Sequence, residues 1–324
     1  MAIGVGVNAV AGIVKETEYG GGGTAATFLE MISEGVRSNI EMIEAPYVFG
    51  SRSKYKYYQG AHDIGGPFSM VVNPDNIGLL LYLALGVEGN PSNVDETTAY
   101  DHEFTPAAAA TDLGSFLLEI DRQIDCSIYQ GCKVNTFALS ATKGSLITAD
   151  FNVLGKDETD GQTPTELTPS TKKPFTFHMG SMAIDTGAVT YVNSFSMEYS
   201  NELDAEGGFV LNGSQNRHHL NKQGQVLTGS LECEWTSVSD ALRDAYLDNT
   251  QKQITLTITS TETIEAGYYY TMTIDIPKVH ILGDPPQISG RERIPFTLNF
   301  EAVYDSTNFV KITLRDARTT KWSA

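Results

Sequence analysis

Apolar and polar residues alternate along most of this chain, which is the pattern of β-strands that bury one face. Two short segments, residues 73–86 and 237–249, instead repeat apolar residues at helical spacing. The chain is therefore predicted to be mainly β with two helices. The predicted strands span residues 28–33, 36–44, 64–72, 116–121, 127–140 and 144–155 in the first half, and 175–184, 189–200, 225–235, 254–260, 268–282, 294–304 and 310–315 in the second.

Both predicted helices have recognisable ends or first turns. The first has Asn73 as its cap, Pro74 in its first turn and Gly86 as its stop. The second begins at Ser237, with Asp240 three residues on in an arrangement close to a capping box. The residues predicted to be buried are Ile77, Leu80, Leu81, Ala84 and Leu85 in the first helix, and Ala241, Leu242, Ala245 and Tyr246 in the second. Each helix is expected to pack on a sheet.

The order of these elements occurs twice. The pairs Gln59-Gly60 and Gln223-Gly224 recur at the same spacing as the two helix starts. In each half the helix is followed by further strands, and the halves close on the similar strands ADFNVLGK and LNFEAVYD. The repeated order predicts a duplicated unit, and two copies of one small unit favour a symmetric assembly over a catalyst.

Composition divides the chain into four segments. Residues 1–23, which end in consecutive glycines, are predicted to be a flexible N-terminal arm. Residues 158–173 are rich in Thr and Pro and are predicted to be a linker. The remaining segments, 24–157 and 174–324, are predicted to be two tandem domains. Each is expected to be an antiparallel β-sandwich or barrel flanked by one α-helix.

The net charge limits the possible functions. The 324 residues carry a net charge of −18, and affinity for phosphate depends on Lys and Arg, so the chain is not expected to bind nucleic acid tightly. With 41% hydrophobic and 19% charged residues, the composition is that of a globular protein. No apolar run of about 18 residues is present, which predicts no membrane span. The first residues lack the pattern of a secretory signal, so a cytoplasmic site of synthesis is expected.

Candidate catalytic and metal-binding residues are few. Cys126, Cys132 and Cys233 are too sparse for a disulfide framework or a zinc site, and we interpret them as small buried thiols. The adjacent His218 and His219 would point to opposite faces of a strand, which disfavours a shared metal ion.

Two further patterns carry little chemistry. The Gly-x-Gly at residues 4–6 lacks the strand, turn and helix of a dinucleotide site. Glu232 and Glu234 share a strand face, as a glycosidase pair does, but exposed carboxylates on a sheet are the commoner case. We therefore expect no enzymatic activity, no metal and no cofactor.

Two locally basic segments stand out against the acidic chain. The first arm, residues 46–60, and the second arm, residues 201–224, each precede a predicted strand. One interpretation is a solvated loop; the other is contact with an acidic face of a neighbouring copy, where Tyr and Arg are favoured. The residues predicted to make that contact are Arg52, Lys54, Tyr55, Lys56, Tyr57, Tyr58, Arg217, His218, His219 and Lys222.

With these features in place, the chain resembles the tail tube (major tail) proteins of long-tailed bacteriophages over nearly its whole length. The matching stretches are KETEYG, NPDNIGLLLYLALG, YQGCKVNTFALSATKG and FNVLGKDE in the first half, and PFTF, VNSFSMEYSNEL, GSLECEW, DALRDAYLDNTQKQITLTITS and IPKVHILGDPPQISG in the second. The glycine-rich residues 20–23 and an insertion at 87–114 depart from the resemblance.

The resemblance implies β-sandwich units, each with a flanking helix, in rings stacked around a channel, and no catalytic residues. It also implies a place in the virion tail after assembly in the host bacterial cytoplasm. The implied partners are other copies of the chain and the tape-measure, tail terminator and distal tail proteins. Viral DNA would pass through the lumen without specific binding.

Strand geometry fits a ring of three chains. Six units lending about four strands each would form a wall of roughly 24 strands, about 48 Å across at ~4.8 Å between strands and ~40° tilt. An acidic lining would repel phosphate, which suits a conduit for DNA. Two alternatives stay open: a tube subunit of a contractile injection or secretion system, and a non-catalytic carbohydrate-binding or adhesive β-sandwich with a platform at residues 268–270.

Overall fold

Strands dominate the computed structural model, which describes residues 4–48, 50, 52–236, 239–283, 294–306 and 308–324. The elements of the first half are β1 Val10–Lys15, β2 Thr27–Phe28, β3 Met31–Glu34, β4 Arg37–Glu44, β5 Tyr57–Val71, α1 Ile77–Leu85, β6 Gly86–Glu88, β7 Ser92–Asn93, β8 Tyr100–Pro106, β9 Phe116–Asp121, β10 Cys126–Thr142, β11 Thr148–Gly155 and β12 Asp157–Thr159. Those of the second half are β13 Gly180–Ile184, β14 Gly187–Val189, β15 Val192–Ser200, β16 Val226–Glu234, α2 Asp240–Leu247, β17 Lys252–Glu265, β18 Tyr268–Leu282, β19 Pro295–Ala302 and β20 Lys311–Asp316. The predicted mainly-β class with two helices is confirmed.

The strand pairings follow one pattern in both halves. In the first half, one sheet runs β2–β1–β9–β10–β12, and a second runs from β3 and β4 through β5 and β11 to β10. In the second half, the corresponding orders are β14–β13–β17–β18–β20 and β15–β16–β19–β18. In each half a long strand, β10 or β18, passes from one sheet into the other. Each half is therefore a β-sandwich whose two sheets share a strand.

Two pairings join the halves. The C-terminal part of β10 pairs antiparallel with β15, from Thr136 opposite Ser200 to Thr142 opposite Ser194. Strand β8, which lies in the insertion predicted at residues 87–114, pairs with β20 of the second half. Among the described residues these pairings leave the combined sheet open, without closing it into a barrel.

The core explains why the sheets stack as they do. Phe68 and Phe137 each stack on Phe151 with ring centroids 5.1 Å apart, and all three side chains are fully buried. In the second half, Phe195 stacks on Phe300 at 6.2 Å. Burying each ring contributes roughly 2 kcal/mol to stability.

Helix α1 begins later than predicted. It starts at Ile77, and the Asn73 side chain instead accepts a hydrogen bond from the Asp75 N–H, which closes a turn before the helix. The predicted stop is confirmed, because Gly86 has φ 96° and its N–H donates to the Tyr82 carbonyl. The predicted buried residues are all buried, since the helix is covered on almost every side.

Helix α2 buries fewer residues than predicted. It runs Asp240–Leu247 and buries only Leu242 and Ala245, so the prediction is wrong for Ala241 and Tyr246, which are exposed. The predicted start at Ser237 lies outside the described residues. Reciprocal hydrogen bonds instead link Thr236 and Ser239, with each backbone N–H donating to the other's hydroxyl oxygen at 2.8 and 3.1 Å.

The prediction of a flexible arm is wrong for residues 10–15. They form β1, which is paired on both edges and buries Ala11 and Ile13. The glycines after it are also held, because the buried Glu16 carboxylate accepts hydrogen bonds from the N–H groups of Gly20 and Gly22. A paired central strand overrides the glycine-rich composition that suggested mobility.

Candidate assembly surfaces

The antiparallel sheet that crosses both halves presents one face to solvent. We call it the long sheet; its order is β4, β5, β11, β10, β15, β16, β19 and the end of β18. Alternate residues of each strand, such as Phe137 and Phe195, point into the core. The residues between them point the other way and form what we call the open face.

The open face is polar and acidic. Most of its side chains are Ser, Thr or Asn, and hydroxyls contact the acids: Ser69 Oγ donates to Asp150, and Ser194 Oγ donates to Glu232 at 3.3 Å. Its carboxylates between β5 and β19 are Asp63, Asp150, Glu198, Glu232, Glu234 and Glu301. Residues 63–71, 136–142, 148–152, 194–200, 226–234 and 295–301 of these strands contain no Lys or Arg, although Asp63 pairs with the Arg217 guanidinium from the second arm.

Three of these carboxylates lie on one line across the strands. Asp150 is opposite Ala138, which is opposite Glu198; Glu198 is opposite Thr228, which is opposite Glu301. The acids therefore occupy alternate strands at about 10 Å intervals, and all three are exposed. The alternation of the sequence could have shown that each of these acids faces solvent. Their alignment in one row depends on the strand registers, which sequence analysis did not establish.

Cations lie at the margins of the open face. Arg37 on β4 is opposite Gly65 and is exposed. Lys133, where the pairing of β10 with β11 begins, is buried, and its Nζ lies 2.8 Å from an Asp112 carboxylate oxygen and 2.9 Å from the Leu220 carbonyl. Neither interrupts the acidic row.

One edge of the long sheet has no strand partner. Strands β3 and β4 pair with β5 on one side, and no other described strand lies along their outer edge. Ile32, Met42 and Ile43 on these strands are 56%, 59% and 50% exposed. Because unpaired strand edges readily pair with another chain, this edge is a candidate surface for association.

The first arm projects from this edge. Lys54 forms an exposed ion pair with Glu44 at 2.6 Å, and the hydroxyls of Tyr47 and Tyr58 lie 3.2 Å apart. The arm residues predicted to contact a neighbour are all exposed: Arg52, Lys54, Tyr55, Lys56, Tyr57 and Tyr58. The arm therefore combines aromatic and basic side chains on one exposed hairpin.

The second arm folds back onto the first half, and the prediction for Arg217 is wrong. Its guanidinium is buried and donates to the carbonyls of Ile64 and Gly155 at 3.1 Å and of Ala205 at 2.9 Å, and to the Asp63 carboxylate. This side chain fastens the arm to β5 and β11. It is thus unavailable for contact with another copy.

The remaining second-arm residues differ in exposure. Lys222 is partly buried, and its Nζ donates to the carbonyls of Ala107 and Ala108 at 2.9 and 2.7 Å, so its ammonium group is engaged within its own chain. Burial lowers the pKa of its ammonium group. His218 is exposed and His219 partly so, with their Nδ1 atoms 3.4 Å apart.

The candidate chemical groups do not form a reactive centre. Cys126, Cys132 and Cys233 are buried free thiols, as predicted, and burial raises the pKa of Cys126 to about 11 and of Cys233 to about 12. In the described part of the chain, no cluster of three His, Cys, Asp or Glu residues has the geometry to hold a metal ion. Neither described helix is long and apolar enough to cross a membrane.

Comparison with known proteins gives one result. The sequence profile of a family described as phage tail tube protein matches residues 6–302, which is most of the chain. A comparison with curated proteins finds no match.

Proposed function

The chain belongs to the phage tail tube protein family, and from this premise we propose that it is the ring-forming subunit of a viral tail tube. Three copies, each with two sandwich units, close a ring of six similar units, and the rings stack into a tube. The tube conducts viral DNA towards the host without binding it. The tape-measure, tail terminator and distal tail proteins are its expected partners in the virion tail.

The observation that carries this proposal is the joint between β10 and β15. Strand β18 corresponds to β10 in the pairing pattern, and β3 with β4 corresponds to β15. If successive copies repeat the internal joint, the free edge of β3 and β4 pairs with the end of β18 in the next copy. Strand β18 ends at Leu282, which lies opposite Asn299 of β19.

The strand count gives a channel of suitable size. Each copy contributes eight strands to the long sheet, with β3 and β4 counted as one. Three copies give a wall of about 24 strands and about 48 Å diameter, which leaves a lumen of roughly 35–40 Å once side chains are included. Ring closure also removes the exposed strand edges that favour aggregation.

The open face supplies the lining. The helices cover the opposite face, so the open face is the one that would turn towards the lumen. Its carboxylates repel the phosphates of passing DNA. They also displace no counterions from the DNA, as Lys and Arg would, so the DNA is not retained. The row formed by Asp150, Glu198 and Glu301 would become a continuous acidic belt in the closed ring.

The first arm is proposed to join one ring to the next. Its exposed tyrosines and basic residues suit contact with an acidic neighbour, and it projects beyond the body of the long sheet. His218 and His219 belong to the same proposed contact. Arg217 and Lys222 do not, because both are held within their own chain.

Electron microscopy of the purified protein, combined with mass measurement of its smallest assembly, tests the proposal. The expected result is tubes with a central channel, built from rings of three copies. A protein that stays monomeric at high concentration would overturn the tube. Rings of six copies would overturn the stoichiometry while leaving the tube intact.

A further inference from the structure

The segment that leads into β13 fills a slot in the first half. Phe175 is fully buried; its N–H donates to the Val72 carbonyl at 3.0 Å, and its carbonyl accepts from the Ile147 N–H at 2.9 Å. Val72 follows the end of β5, and Ile147 precedes β11. Both are buried, so the slot between these two strands is closed by the segment around Phe175.

The segment that leads into β1 has the same local structure but nothing to fill. Each segment passes through a 3₁₀ turn, Gly6–Asn8 before β1 and Phe177–Met179 before β13. Each is also tied to its neighbouring strand or to the turn after it: Val5 N–H donates to Gln123, just after β9, at 3.1 Å, and Lys173 N–H donates to Glu262, near the end of β17, at 3.0 Å. Val5 and Val7 therefore take the place of the residues around Phe175.

Exposure separates the two segments. Phe175 is 0% exposed, whereas Val5 and Val7 are 52% and 85% exposed. An apolar side chain stabilises a structure when another surface covers it and removes it from water. No described residue of this chain covers Val7 in this way.

The slot itself also has an unfilled counterpart. Val71 opposite Thr148 marks the end of the β5–β11 pairing, and Glu234 opposite Pro295 marks the end of the β16–β19 pairing. The next residues outwards are Val72 and Ile147 in the first half, and Trp235 and Ile294 in the second.

Trp235 and Ile294 are partly exposed, although their counterparts are buried. Trp235 is held in place by an edge-to-face contact with Phe296 at 4.9 Å. This fixed indole forms one wall of a slot that has the same strand ends as the filled one, and no segment among the described residues covers it as Phe175 covers the first.

We propose that residues 4–8 of one copy insert between Trp235 and Ile294 of the neighbouring copy and there bury Val5 and Val7. The occupant is a second copy of this chain, because the chain already contains the filled version of the same contact between its own two halves. This inference rests on the proposed ring and names the apolar contact that accompanies its strand pairing.

Tryptophan fluorescence follows this contact directly. The chain has two tryptophans, and Trp322 is already buried, so Trp322→Phe leaves Trp235 as the single reporter. The expected result is a shift of its emission to shorter wavelength on assembly, because the indole loses contact with water. Assembly with unchanged emission would overturn the docking and leave the ring proposal standing.

Substitution at position 7 provides the second test. Val7→Asp places a charge in the slot, and we expect the concentration needed for assembly to rise at least tenfold. Val7→Ile should assemble normally, and Leu211→Asp is the matched control, because Leu211 is fully exposed at the tip of the second arm. Equal assembly of Val7→Asp and Leu211→Asp would overturn the inference. Failure of the unmodified chain to form rings would instead overturn the proposed function.

Discussion

The imidazole of His102 and the carboxylate of Glu88 form a buried ion pair, with Nδ1 2.9 Å from Oε1. On its other side, His102 Nε2 lies 3.2 Å from an Asp316 oxygen and 2.9 Å from the Arg318 carbonyl. The Glu88 carboxylate also accepts hydrogen bonds from the N–H groups of Trp322 and Ser323. The cluster therefore ties the inserted strands β6 and β8 to the C-terminal segment.

This cluster predicts a loss of stability at alkaline pH. Burial alone would lower the pKa of His102, but the hydrogen bonds to Asp316 and Glu88 outweigh it and raise the pKa from 6.5 to about 9. The folded state therefore holds the proton more tightly, so the contribution is complete below about pH 6.5 and is lost as the pH rises through 9. We expect up to about 3 kcal/mol of unfolding free energy to disappear over this range.

Urea denaturation between pH 6 and pH 9.5 measures this loss. His102→Gln should unfold more readily at pH 6 and show a flatter pH dependence. The matched control is His280→Gln, because the imidazole of His280 is hydrogen-bonded to the exposed side chains of Asn249 and Gln251. If His102→Gln left the pH dependence of the unfolding free energy unchanged, His102 would not be the group that causes the loss.

Removing the buried guanidinium of Arg217 should destabilise the protein more than any change at an exposed arginine. Arg217→Ala leaves the carbonyls of Ile64 and Gly155 without their donor and the Asp63 carboxylate without its partner. We expect a loss of about 3–5 kcal/mol in unfolding free energy. Arg217→Lys should recover part of it, since one ammonium cannot reach every acceptor.

Chemical denaturation of Arg217→Ala and Arg52→Ala makes the comparison. Arg52 lies exposed in the first arm, so its truncation should change the unfolding free energy by less than about 0.5 kcal/mol. Similar losses in both variants would mean that Arg217 does not hold the second arm in place.

Reversing the acidic row tests the proposed conduit. Asp150→Lys, Glu198→Lys and Glu301→Lys together turn the belt basic without touching the core, so tubes should still assemble. The channel should then retain DNA, with at least tenfold tighter binding that weakens steeply as salt rises.

The control is a second triple variant that makes the same change in charge outside the long sheet. Glu96→Lys, Glu206→Lys and Asp248→Lys alter exposed acids outside the long sheet, so they should leave retention in the channel unchanged. Ejection or translocation of labelled DNA through purified tubes provides the measurement. Equal retention in both triple variants would show that overall charge, and not the open face, governs passage.

Strong alternation made much of the fold predictable. Strands β9 and β18 have the predicted bounds, 116–121 and 268–282; β9 is a short run buried at every position but its last, and β18 alternates along most of its length. The stop at Gly86 was equally readable, since a residue with positive φ after a helix favours glycine. In these places local preference and tertiary packing agree.

The errors occurred where tertiary contacts override composition. A glycine-rich start suggested mobility, yet β9 pairs along all of β1. A basic segment suggested an exposed contact, yet Arg217 is buried because backbone carbonyls from three different parts of the chain converge on it. The slot between Trp235 and Ile294 depends on comparing the two halves in three dimensions, which alternation alone does not permit.

Charge reversal in the first arm separates ring closure from ring stacking. Arg52→Glu with Lys54→Glu removes the basic character of the exposed hairpin, and Lys54 loses only a surface ion pair, so the fold should persist. We expect rings of normal mass that no longer form tubes, because the arm would then repel an acidic neighbour. Arg243→Glu with Lys311→Glu is the matched control, since these residues lie on α2 and β20, away from the long sheet. Electron microscopy scores tube length and light scattering scores ring mass; tubes of normal length from the arm variant would show that the hairpin does not join the rings.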